Sequence, residues 1–389
     1  MEIHARHLAI KYMDEYNSFS QYPESTGKLL ELCAESAISL QRKNGSLPPT
    51  RQGIYGYNHT PVRNTAEWLL VFSKVYESLG EQRFRQAAIK AGKYLLSKEA
   101  RPLNITFKSR NEPGKDLCDG LVGQAVPIEA LSYAGKILHK SEFTQTALEV
   151  FRDHIFDQDL SLWEILEIDG ERLSFDRTLN HQIIFAARSV ILSSVNPEIE
   201  SLLETFLDDL LNFAGVNPDG RFKHFVQVSL KQSITKMVEN HIHWPLLWNN
   251  LTQLYYDISI SHSRKEVGYH FTILESLSRI KSAFPKHPVW SSKLIKKSMS
   301  FTNDYKYLSQ LHNQKYAYGS PIPEFNHAIF LHNFTEGTST KVSRWLGRGI
   351  ERTLDIEDGL LTADTEREIQ QASFVSRLIH IPNINVEYE

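Results

Sequence analysis

Residues 72–91 read FSKVYESLGEQRFRQAAIKA, and this stretch decides the fold. Phe72, Val75, Tyr76 and Leu79 recur at i, i+3, i+4 and i+7, and Phe84, Ala87, Ala88 and Ala91 repeat the pattern after Gly80 and Glu81. Two apolar stripes of helical period on either side of a glycine describe an antiparallel helix pair. The same spacing returns at Phe143, Ala147, Val150 and Phe151; at Leu179, Ile183, Ala186 and Val190; at Ile199, Leu202, Leu203, Phe206 and Leu210; and at Ile273, Leu277, Ile280 and Phe284.

Working outward, helices are expected over Ala5–Tyr16, Thr26–Arg42, Asn64–Leu79, Glu81–Ser97, Gly120–Leu138 and Glu142–His154. Others are expected over Arg177–Ser194, Pro197–Ala214, Ser233–Tyr256 with a break at Pro245, Lys265–Phe284 and Val289–Ser300, with two or three more beyond Pro323. Strand signals are confined to Leu103–Lys108 and to Arg221–Val228, the latter after the turn Asn217-Pro218-Asp219-Gly220. Helices beginning near Asn64, Gly120 and Arg177 are about 55 to 60 residues apart, one hairpin and its loop each. The expected fold is all-α, an (α/α)6 toroid of six hairpins with short β excursions in loops. It spans 1–389 as a single domain, with an N-terminal helix in 1–23 packed on the ring.

Of 389 residues, 41% are hydrophobic and 23% charged, enough for an extensive core and unlike a disordered chain. The net charge of -3 leaves no basic field for nucleic acid. Cys33 and Cys118 are too few for a disulfide framework or a thiolate zinc site, so a reducing, cytoplasmic setting is expected. No apolar run approaches the ~18 residues of a membrane span, and the polar N-terminus does not read as a secretory signal.

The loops before alternate helices carry the chemistry. The first is 53–63, GIYGYNHTPVR; the second is 110–119, RNEPGKDLCD; the third is 163–170, WEILEIDG, followed by 175–182, FDRTLNHQ. A closed ring turns these segments toward one cleft. Asp116 and Asp119, three apart, could raise one another's pKa and supply a general acid; Asp119 could equally cap the Gly120 helix while Asp116 pairs with Lys115 or an arginine. Asp176 divides the same way. His181 is a possible base beside Asn180, whose amide could hold a carboxylate, with Gln182 next to it; a buried structural histidine is the alternative. Tyr55, Tyr57, Trp68, Trp163, Trp244 and Tyr318 could stack on sugar rings, or fill the core. His59, Arg63, Lys115 and His241 complete the substrate-binding set, with Arg63, Lys115 and Arg177 suited to carboxylates or to surface ion pairs.

No metal or cofactor is expected. His241 and His243 are two apart and diverge on a helix, and no His-Glu-x-x-His, Cys-x-x-Cys, Gly-x-Gly-x-x-Gly, Walker or Gly-x-Ser-x-Gly pattern occurs.

The layout resembles the six-hairpin toroid proteins of carbohydrate chemistry: unsaturated glucuronyl and rhamnogalacturonyl hydrolases, sugar 2-epimerases and several polysaccharide lyases. The runs GKDLCDGLVGQA (114–125) and FDRTLNHQ (175–182) are similar to uncharacterised proteins of surface-glycan and protein-glycosylation gene clusters. The resemblance covers roughly residues 40 to 370. Resemblance to the hydrolases implies a protonating aspartate, Asp116 or Asp119. Resemblance to the lyases implies Asn180 on a uronate carboxylate, His181 on the C5 proton and Tyr55 or Tyr57 as acid. The first expectation is a glycoside hydrolase acting on a uronic-acid-containing oligo- or polysaccharide. The second is a lyase or C5-epimerase; the third is a non-catalytic glycan-binding or assembly protein working with other glycan-synthesis proteins.

Overall fold

A computed structural model describes residues 21–52, 55–302, 322–335 and 339–388. The helix expected at Ala5–Tyr16 and the Tyr318 side chain lie outside them. The described chain begins with α1 (Thr26–Leu40), then the hairpin of α2 (Val62–Leu79) and α3 (Gln82–Leu95), turning at Gly80 as the apolar stripes required. Two further hairpins follow: α4 (Gly120–Leu138) with α5 (Ser141–Asp153), and α6 (Leu179–Ser193) with α7 (Pro197–Asp208).

The next third is more broken. α8 (Leu230–Glu239) opens with a Ser229/Gln232 capping box, and a 3-10 segment (His241–Trp248) containing Pro245 leads into α9 (Asn249–Ile258). The break expected at Pro245 within Ser233–Tyr256 is present but begins earlier: Asn240 takes the Ile242 N–H and stops the first helix, and proline, lacking an N–H, holds the joint in 3-10 form. α10 (Ile260–Ala283), α11 (Lys293–Phe301), α12 (Pro323–Phe334), α13 (Ser339–Thr353) and α14 (Glu368–Ser373) complete the set, the last running into a 3-10 turn at Phe374–His380.

α2 packs on α4, α4 on α6, α6 on α10, α10 on α12, α12 on the 374–380 segment, and that segment back on α2. The ring closes. Outer helices lie against it as hairpin partners: α3 on α2, α5 on α4, α7 on α6, α9 on α10, α13 on α12 and α1 on 374–380. The chain's two ends are stitched together by antiparallel contacts of Ser25 with Asn385 and of the Val386 N–H with the Glu24 carbonyl. The inner helices are buried on nearly every face; the outer ones are amphipathic, α3 burying Phe84, Ala87, Ala88 and Ala91 and showing charge outside. The fold is the (α/α) toroid with open β pieces in its loops.

Those β pieces are not all where periodicity put them. β1 (Arg51–Gln52) pairs with β2 (Tyr57–Asn58), and a three-stranded sheet joins β3 (Phe156–Asp157), β4 (Leu162–Leu166) and β5 (Arg172–Phe175). Leu103–Lys108 forms no strand. Asn104 is left-handed at φ 60°, Arg101 takes the Asn104 and Ile105 carbonyls, and Gln124 takes both backbone groups of Phe107, so no ladder partner is left. Arg221–Val228 is held by single bridges, Val216 to Phe222 and Thr178 to Phe225.

Candidate functional site

α2, α4 and α6 all begin at one end of the ring, and the loops before them are tied to each other. Asn111 N–H donates to the Asn58 carbonyl, Thr60 N–H to the Ser109 carbonyl, and Glu112 accepts from the Asn58 backbone and side chain. The third loop joins through Glu167, which accepts the Leu117 N–H at 2.8 Å, and through Asp176, which accepts the Leu121 N–H at 3.4 Å. Asp116, Asp119, Asp176 and His181 are thus gathered on one rim.

Asp119 stands at the cap position of α4, but its side chain makes no capping hydrogen bond. It sits left-handed at φ 60°, Gly120 follows at φ 57°, and the Gly120 N–H donates instead to Asp116 at 2.9 Å. Successive left-handed residues are costly except for glycine and for short polar side chains such as Asp. The turn rotates the Asp119 carboxylate inward, where it is 1% exposed and paired with Arg110; His59 Nε2 lies 3.5 Å away. Burial raises the Asp119 pKa, and Arg110, Arg63 and His181 do not fully offset it. Burial, with Arg63 and Arg110 close by, pushes His59 down to about 3, so its ring is neutral. Arg110 spans both acids, reaching Asp116 at 2.8 Å.

Asp176 and His181 form the second pair. Asp176 Oδ2 lies 2.9 Å from His181 Nδ1, and Oδ1 accepts the Thr178 N–H at 3.1 Å. Burial disfavours the charged imidazole, yet the Asp176 carboxylate and its hydrogen bond outweigh it and raise the His181 pKa. Asp176 is lowered by the same contact and by its backbone donors, against its burial. His181 is a quarter exposed, and its Nε2 has no partner among the described residues. Held by Nδ1 and open at Nε2, it can accept or donate a proton at the rim.

Around these acids stand cations and rings. Tyr55 and Tyr57 stack at 5.5 Å, Lys115 Nζ lies 5.2 Å from the Tyr57 centroid, and Lys265 lies 5.1 Å from that of Tyr55. Half-buried Arg63, in the first turn of α2, makes no hydrogen bond or ion pair among the described residues. Asn180 is buried with its Oδ1 unpartnered. Arg177 donates to the Pro245 carbonyl at 3.0 Å, fastening the 241–248 segment to the rim; Trp244 there is 56% exposed and His241 is exposed.

Four expected sugar contacts are corrected. Trp68 is 1% exposed in α2 and stacks on Phe72. Trp163 is wholly buried among Phe151, Phe156, Phe185 and Phe206, and is core. Gln182 is also buried; its amide clamps the Trp163 backbone and the Asp176 carbonyl, so it positions the loop and offers nothing to a ligand. His59 likewise faces inward, between Thr50 and Asp119. Of the partners expected for Asp116, Lys115 or an arginine, the structure supplies an arginine, Arg110, six residues ahead of it; that the same guanidinium also holds Asp119, nine residues on, was not expected.

Asp116, Cys118 and Glu167 each offer a ligand atom within 4.8 Å of the others. They fit a metal poorly: the Cys118 thiol is pushed well up by burial and by Asp116 and Glu167, Asp116 is held by Arg110, and both Glu167 oxygens accept backbone N–H groups. No helix among the described residues is long and apolar enough to cross a membrane.

The frame is shared with known structures. The cellobiose 2-epimerase from Spirochaeta thermophila superposes with a TM-score of 0.59 at 13% identity, over 88% of this chain and 90% of that one. A sugar epimerase from a ruminal bacterium gives 0.56 at 10%, over 89% and 95%, and an inactive α-1,6-mannanase variant from a Salegentibacter species, bound to α-1,6-mannotriose, gives 0.52 at 13%, over 91% and 98%. Identities this low establish the fold alone. No known family profile matches the chain. The archaeal glycosylation protein Q of Haloferax volcanii, however, is 35% identical over 347 residues, 88% of this chain and 93% of that protein. With identity at that level along nearly its whole length, the chain belongs to the family of archaeal glycosylation protein Q, built on the toroid frame also used by sugar epimerases and glycoside hydrolases.

Proposed function

We propose that the protein is a sugar-modifying enzyme of glycan assembly in which His181, held by Asp176, moves a proton on a uronic-acid residue. The observation that carries this reading is the 2.9 Å Asp176–His181 pair with Nε2 left open at the rim. A carboxylate behind Nδ1 fixes the ring and stabilises the imidazolium that forms when Nε2 takes a proton. The proton beside a uronate carboxylate becomes acidic only if the charge developing on that carboxylate is met by donors. Unpaired Arg63 and exposed Lys115 suit that task. Returning a proton to the opposite face gives epimerisation, and expelling the neighbouring glycosidic oxygen gives elimination; part-exposed Tyr57 suits the second acid.

Glycoside hydrolysis is the second reading, favoured by the raised pKa of Asp119. It ranks lower because Asp119 is enclosed by Arg110 and His59 and has no open face toward a glycosidic oxygen.

The test is incubation with uronate oligosaccharides in deuterated water. Either deuterium at the carbon beside the carboxylate without chain scission, for epimerisation, or a new ultraviolet-absorbing double bond at that carbon, for elimination, is expected, falling by about 10²- to 10⁴-fold in His181→Ala. New reducing ends with neither deuterium nor a double bond, lost in Asp119→Asn and kept in His181→Ala, would replace this reading with the hydrolase. Silence in both readouts would leave a glycan-binding protein.

A further inference from the structure

α8 and α9 are built inside out. In α8 the buried side chains are Ser233 and Lys236, while Leu230, Ile234 and Val238, at i, i+4 and i+8, line an exposed stripe. α9 buries Asn249, Gln253 and Tyr256 and turns Leu251, Leu254 and Ile258 outward; Trp248, the residue before it, is exposed as well. α3, an outer helix of the ordinary kind, does the reverse.

The polar groups point inward because they hold neighbouring segments. Ser233 donates to the Leu246 carbonyl at 3.4 Å, and Lys236 donates to Asp157 at 2.7 Å and Asp159 at 2.8 Å. Gln253 accepts the Phe225 N–H at 3.1 Å and donates to Glu266 at 3.1 Å. These contacts account for the inner faces only. A helix washed by water on its outer face carries Lys, Glu or Gln there, not Leu, Ile and Val.

The seven outward side chains are 45–78% exposed. At ordinary side-chain areas those fractions leave roughly 700–800 Å² of apolar surface bare, above the roughly 300–600 Å² of the largest patch on a typical monomer and close to the roughly 800 Å² that each partner gives a stable interface. Both helices pack on the 241–248 segment, so the two stripes belong to one unit. The charges on the two helices, Lys231, Lys236, Glu239 and Asp257, sum to zero, and Lys236 pairs with Glu239 and Asp257 with Lys223. A bilayer surface draws helices with a basic polar face, whereas a neutral apolar face can be set against its own copy without like-charge repulsion.

We propose that this face is the two-fold interface of a homodimer, α8 and α9 of one protomer packing on the same two helices of a second copy.

The test is sedimentation equilibrium of the full chain at micromolar concentrations. A species of twice the 44.8 kDa chain mass is expected. The double variant Val238→Glu, Leu254→Glu brings like charges together across the two-fold and should weaken dimerisation about 100-fold or more, equivalent to about 2.8 kcal/mol. Both positions are exposed in the protomer, so its circular dichroism should match the parent's; Ile258→Lys, a single change, should act in the same direction. Leu103→Glu, at a comparably exposed leucine in the loop before α4, should leave the dimer intact. A parent that stays at the chain mass throughout, or a dimer as tight in the folded double variant as in the parent, would overturn the assignment. Flotation of a monomeric parent with phosphatidylcholine/phosphatidylglycerol vesicles, lost in the double variant, would give the face to a membrane instead.

Discussion

Replacing Gly120 by alanine tests whether the acid/base pair depends on the bare backbone beside it. Gly120 is left-handed at φ 57°, and a Cβ built there would meet Asp176 Oδ2 at 2.9 Å and His181 Nδ1 at 3.8 Å. The first distance is shorter than carbon and oxygen tolerate, so the carboxylate has to move. Left-handed backbone costs an L-residue roughly 1–2 kcal/mol. Rupture of the charge-assisted hydrogen bond between Asp176 and His181 adds roughly 1.5–3 kcal/mol, about 2.5–5 in all. Gly114 supplies the control, being left-handed at φ 74° with nothing within 4 Å of its would-be Cβ. Gly114→Ala should carry the backbone cost alone. Urea denaturation of both variants measures the difference, and the deuterium-uptake assay measures its consequence: activity should collapse in Gly120→Ala and persist in Gly114→Ala. If the two variants lose the same stability and keep the same activity, the Asp176–His181 geometry does not depend on the space that Gly120 leaves.

Two further outcomes are expected. Asp176→Asn removes the charge that raises His181 while leaving the burial that lowers it, so the imidazole midpoint followed by NMR should move down. Because a raised histidine stabilises the fold below its unfolded pKa and loses that contribution as pH rises through the folded value, Asp176→Asn should destabilise more at pH 6 than at pH 9. Trp163→Ala should cost about 3–5 kcal/mol in thermal or urea unfolding because it empties a packed aromatic cluster, whereas Trp244→Ala should stay within about 0.5 kcal/mol of the parent.

The helical frame was legible because apolar spacing is local: Gly120–Leu138 has the expected boundaries, set by Gly-rich entry and by the left-handed His139 at its end. The sheet of β3 to β5 was not, although Asp169-Gly170 marks its turn, because Trp163 and Leu166 are buried alongside Glu164 and the alternation is masked. That the three loops meet followed from the ring. What the polar residues do there did not: whether Asp119 caps or turns inward depends on a left-handed residue that no periodicity reveals, and Gln182 becomes a clamp only once β4 lies beside α6.

Across the middle of the ring lies a core of charge. Glu67, Glu129 and Glu275 meet Arg188, Arg279 and Arg377, all buried, drawn from α2, α4, α6, α10 and the 374–380 turn. Each carboxylate is held below its usual pKa by the guanidinium groups facing it, against the pull of burial, so the ions stay ionised. The axis of the ring is therefore filled by buried ion pairs rather than open as a tunnel. A polymer cannot be threaded through it; a saccharide taken up at the His181 rim, as proposed above, would enter and withdraw by the same side, which suits chain ends and short saccharides over the interior of a long strand.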